Sequence, residues 1–75
     1  MEPYKNLSGD SGVAEFEIGP DFIKVRFVTS GTVYVYDHSD PGPSHVKKMK
    51  HLATSGKGLA THIAKEVKKR YSRKE

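Results

Sequence analysis

The chain has 75 residues, enough for one small domain with a modest core, and its lack of cysteine excludes a disulfide scaffold and a thiolate metal site. The net charge of +4 is unevenly spread: residues 44–75 carry ten Lys or Arg against two acids, and residues 1–43 carry three against seven. No apolar run approaches the ~20 residues needed to cross a bilayer and nothing reads as a signal peptide, so a cytoplasmic protein with no membrane partner is expected.

Residues 1–12 are polar and read as a flexible N-terminal tail ahead of a single domain over residues 13–75, with Tyr4 and Leu7 the only groups able to dock it. Gly9-Asp10-Ser11-Gly12 matches a serine-protease nucleophile signature by coincidence, because so short a chain has no room for that enzyme's two barrels. Val13 to Ile18 alternates Ala14, Phe16 and Ile18 against Val13, Glu15 and Glu17, the period-2 pattern of a half-buried strand. Gly19-Pro20-Asp21 is a turn, and Phe22 to Val28 alternates again, with Ile23, Val25 and Phe27 opposed to Lys24 and Arg26.

Ser30-Gly31 then leads into Thr32-Val33-Tyr34-Val35-Tyr36, rich in β-branched and aromatic residues. If Ser30-Gly31 is a two-residue loop, Phe27 pairs with Tyr34 and Val25 with Tyr36, and both tyrosines join the core face. A bulge at Gly31 would shift the register by one and turn Tyr34 and Tyr36 outward, as a platform for stacking unpaired bases. The two-residue loop is the preferred reading.

Asp37 to Pro43 is a loop, and Pro43 suits the first turn of a helix, where its missing N–H costs nothing. The following helix sets Val46, Met49, Leu52 and Ala53 against Lys47, Lys48, Lys50 and His51, and ends at Gly56. A second helix carries Leu59, Ile63, Val67 and Tyr71 at four-residue spacing, with Lys65, Lys68 and Lys69 on the opposite arc and Arg70 at its rim. The expected fold is therefore α+β, in the order β-β-β-α-α: a three-stranded antiparallel meander packed against two C-terminal helices in two layers. Both lysine rows then point outward on the same side.

From Val25 onward the chain resembles the KTSC domain, a short module named for its place at the C-terminus of some lysyl-tRNA synthetases. The residues that carry the resemblance are Val25 and Phe27, Gly31, Tyr34-Val35-Tyr36, Pro43, Val46, Ala53, Ser55-Gly56, and Leu59 with Ile63. The chain departs from that pattern in a longer loop between Tyr36 and Pro43, in Leu59 where the family tends to have phenylalanine, and in Ala60 where it tends to have asparagine. The resemblance implies the α+β fold and, through the synthetase context, RNA as a partner.

No catalytic motif stands out, so a non-enzymatic module without cofactor is expected. Polyanion binding is the leading expectation, with Lys47, Lys48, Lys50, Lys57, Lys65, Lys68, Lys69 and Arg70 contacting phosphates rather than base edges. Lysines that merely solubilise a helix are usually interleaved with Glu, and Glu66 is the only acid available for that here. Of His38, His45, His51 and His62 no pair has the i, i+4 spacing of a helical metal site, so no metal is expected; below pH ~6.5 the last three would add charge to the basic side. Gly56-Lys57-Gly58 is too short for the glycine loop of a KH domain, and the lysine-rich second helix lacks the Arg, Asn and Gln of a base reader. The alternative is a protein-interaction or self-association module, its outward sheet face bearing Val28, Val33 and Val35 toward a partner or a second copy, the lysines serving only solubility. A monomer is expected.

Overall fold

The computed structural model describes residues 1–7, 9, 12–67 and 69–75. It is an α+β fold: one antiparallel sheet of five strands, β1 (Glu2–Pro3), β2 (Val13–Ile18), β3 (Phe22–Phe27), β4 (Val33–Asp37) and β5 (Arg73–Lys74), in the spatial order β1-β2-β3-β4-β5. Helix α1 (Pro43–Ser55) and the short α2 (Leu59–His62), which runs on as a π-helical turn over Ile63–Val67, cover one face. The central meander and two helical segments match the expected order, and two edge strands are added to it.

The edge strands overturn part of the expected tail. Glu2 and Pro3 pair with Phe16 and Glu15, the Tyr4 amide donates to the Ala14 carbonyl at 3.0 Å, and the Tyr4 ring lies in the core against Phe16. The Tyr4 hydroxyl accepts a 3.3 Å bond from the Leu59 amide, one of the donors a helix leaves unpaired at its start. The Leu7 amide donates to the Gly56 carbonyl at 2.8 Å, so the segment also ties to the end of α1. Residues 8, 10 and 11, which include the protease-like Asp10 and Ser11, lie outside the described residues.

Strand β2 departs from simple alternation. Val13 pairs with Phe27 but Glu15 pairs with Arg26, so Ala14 is an extra residue and the strand bulges there. The bulge turns Val13 inward beside Phe16, where alternation had it outward; Ile18, expected inward, is exposed at the end of the strand. In the second hairpin Val25 faces Tyr34 and Ile23 faces Tyr36, two residues from the expected register. The Gly31 amide reaches back to the Phe27 carbonyl at 3.1 Å, with Gly31 left-handed (φ 70°), so the loop is longer than Ser30-Gly31 alone. A shift of two preserves side-chain parity, and both tyrosines remain on the helix side.

Helix α1 begins with Pro43 in its first turn and ends at Gly56, which is left-handed (φ 86°) and returns its amide to the Leu52 carbonyl. Val46, Met49 and Ala53 are its buried stripe. Side chains four residues apart drift by about 40° per step in an α-helix. The wider π turn reverses part of that drift, which keeps Leu59, Ile63 and Val67 all in the core. The second helix was expected to continue to Tyr71, but it ends earlier because β4 offers an open edge. The Ser72 amide bonds to the Val35 carbonyl at 2.7 Å and Glu75 bonds to Val33, placing β5 there while Tyr71 packs on Tyr34 and Tyr36.

The sheet's other face is charged. Lys24 and Arg73 flank Val35 from the neighbouring strands, and the Glu75 carboxylate bridges them at 2.9 and 3.2 Å. Val35, expected as exposed apolar surface, is therefore only 1% accessible; Val33 is half-buried, and Val28 is 61% exposed in the loop after β3. Glu15 pairs with Arg26 on the same face.

Two outcomes follow for stability. In chemical denaturation, Tyr4→Phe is expected to lower the unfolding free energy by about 1 kcal/mol through loss of the Leu59 partner, and Tyr4→Ala by ~3–5 kcal/mol through loss of the ring; no change in either would refute docking of this segment. Hydrogen bonding from Lys24, joined by Arg73, holds the Glu75 carboxyl below its ordinary range. Its contribution is thus present above that range and lost as pH falls through the lowered value. Glu75→Gln should weaken the protein near neutral pH and flatten this part of the acid limb, read from thermal midpoints between pH 7 and 3.

Candidate nucleic-acid interface

Helix α1 places Lys47, Lys48 and His51 on its exposed side because the same turns bury Val46, Met49 and Ala53. Lys57 occupies the turn between Gly56 and Gly58, and Lys65 is exposed on the π turn. Between the two helical segments runs a groove of two adjoining concavities, about 390 and 570 Å³, that share Lys48, Leu52, Gly58 and Thr61 as lining. One extends to His62, Lys65 and Glu66, the other to His51, Ser55 and Lys57. Lys48, Lys57 and Lys65 thus ring a floor formed partly by Leu52, with Glu66 the only acid in the lining.

The other expected cations are not gathered there. Lys50 turns from its row, its ammonium donating to the carbonyls of Gly19 at 2.7 Å and Pro20 at 3.2 Å, so it ties α1 to the β2–β3 turn. Arg70 lies beyond the helix and pairs through Nε with Asp40 at 3.0 Å, an exposed contact of small energetic weight. Lys47 and Lys69 are exposed but do not line the groove. Lys68 lies outside the described residues.

Both tyrosines are packed against other rings. Tyr36 is 1% exposed, and burial, with Tyr34 and Tyr71 adding to it, raises its phenol well above the ordinary value. Tyr34 is half-buried, packed on Phe27 and on Tyr71 with ring centres 5.4 and 4.9 Å away, and the Lys74 ammonium stands 5.6 Å from its centre. The base-stacking reading is thereby overturned for Tyr36, and Tyr34 is a packing residue.

Spacing rules missed one arrangement. His45 of α1 and His62 of α2 bring Nδ1 and Nε2 to 3.4 Å, 17 residues apart in sequence. Burial lowers the His62 pKa first, His45 and Lys48 add to that effect, and Glu66 opposes it. His62 therefore resists the extra charge expected of it on acidification. The pair arises from how two helices meet in space, which no sequence period reports.

No family model, no curated protein and no solved structure matches this chain. Among the described residues no helix is long and apolar enough to cross a membrane.

The position of Lys50 generates a separable outcome. Lys50→Met is expected to cost about 1 kcal/mol in chemical denaturation, through two carbonyls left to solvent, and to leave affinity for any polyanion unchanged. A loss of affinity without loss of stability would place Lys50 in the interface instead.

Proposed function

We propose that this protein is a non-enzymatic nucleic-acid-binding module that holds phosphates in the groove between its two helical segments. The observation that carries this reading is the placement of Lys48, Lys57 and Lys65 along one groove of two adjoining concavities, Lys48 lining both, Lys65 one and Lys57 the other, with Thr61 and Ser55 as neutral hydrogen-bonding groups. Lysine ammonium groups act as point charges without the forked geometry of arginine, so the contacts are to backbone rather than to base edges. The resemblance to the KTSC domain supports RNA, in the cytoplasm, over DNA. With the tyrosines packed away, sequence preference is weak.

The competing protein-interaction reading loses its main support. Of the three valines that suggested it, Val35 lies beneath the Lys24–Glu75–Arg73 bridge and Val33 is half-buried.

The test is affinity for a single-stranded RNA measured against salt. Log K is expected to fall linearly with log [salt], and Lys48→Gln/Lys57→Gln/Lys65→Gln together to make the slope shallower by about 2, at ~0.7 for each phosphate no longer neutralised. NMR shifts on titration should map to α1, α2 and the connecting turn. A flat salt dependence, or shifts confined to the charged sheet face, would defeat the proposal.

A further inference from the structure

The His45–His62 contact is the best-defined cluster of ligating side chains that the proposed function leaves unused. Nδ1 of His45 and Nε2 of His62 lie 3.4 Å apart, the ring centres 5.5 Å apart, and the planes meet at 49°. Both residues are half-buried, one on each helical segment. The separation is long for a hydrogen bond, whose nitrogen donors usually sit about 2.9–3.0 Å from the acceptor. It matches the edge of a tetrahedral zinc site, since two nitrogens each ~2.05 Å from the ion are about 3.3 Å apart. A square-planar ion would require adjacent nitrogens only ~2.9 Å apart, so the geometry favours a cation with tetrahedral preference.

We infer that His45 and His62 form a two-imidazole chelate for a divalent cation of the zinc class, bridging the start of α1 to α2. Ligation through Nδ1 of one ring and Nε2 of the other requires only that each neutral imidazole carry its proton on the opposite nitrogen. Among the described residues no group of three or more His, Cys, Asp or Glu is arranged to hold a metal. Water fills the remaining positions, and the site is open, unlike the closed four-ligand sites that hold structural zinc. Glu66 adds a favourable charge close enough to act on His62, and Lys48 opposes it. The inference rests on the histidine geometry and not on the phosphate-binding reading.

The experiment uses the full chain, stripped with a chelator and titrated with zinc chloride alone. The imidazole resonances of His45 and His62 are expected to shift together at one equivalent while those of His38 and His51 do not. In calorimetric titration, His45→Asn and His62→Asn should each weaken zinc binding at least about tenfold, because loss of a ligand costs no less than loss of a group that orients one. His51→Asn should leave it unchanged. The direct resonance measurement on the unmodified protein holds even if a substitution unfolds the chain. Zinc that moves all four histidines alike, binds equally after His45→Asn, or does not bind at all overturns the inference.

Discussion

So few residues cannot bury a sheet face with a three-stranded meander and two helices alone, and the shortage of interior governs the rest of the structure. A sheet this narrow would leave two open edges and an uncovered helix start. Both ends of the described chain are drawn in to meet that need. At one edge Glu2 and Pro3 extend the sheet and Tyr4 enters the core, its hydroxyl reaching the first amide of α2. At the other, residues 72–75 bond to β4. In each case a few backbone bonds are joined to burial of one aromatic side chain, which is what makes so short a strand hold.

The same need redistributes the cations. A count of charges along the sequence treats every lysine as free, whereas the fold assigns several to structural tasks. Lys50 ties a helix to a distant turn, Lys24 and Arg73 with Glu75 roof Val35, and Lys74 lies over the rings of Tyr34 and Tyr71. What remains in the groove is a smaller and better placed set. Local convergence rather than total charge is the relevant quantity for a phosphate ligand, since exposed charges more than about 8 Å apart are largely screened at physiological salt.

The sequence was informative where periodicity alone decides. The three central strands, the first helix with its Pro43 start and Gly56 stop, and the facing of Tyr34 and Tyr36 were all legible, because each follows from a pattern of apolar positions or a required backbone conformation. The bulge at Ala14 was not, since an inserted residue mimics continued alternation until pairing partners are known. The edge strands were not, because two-residue strands have no period and form only once a neighbouring edge exists. The end of the second helix was overridden in the same way: Tyr71 satisfies the helical pattern equally well as the side chain that covers Tyr34 from the returning chain. For the candidate site, the lysine-rich helices were evident but the members that share a concavity were not, and the histidine pair carried no linear signal.

Gly56 illustrates how a small fold narrows its own repertoire. Its backbone is left-handed, and a β-carbon there would stand 2.7 Å from Cβ of Lys5. Asparagine and aspartate, the usual replacements for a left-handed glycine, tolerate the dihedral but not the neighbour. One position thus answers simultaneously to a helix end and to the segment crossing it, and no side chain meets both demands. Drift at this position would be closed to the ordinary substitutes even though it lies in a connection between helices, where variation is normally free.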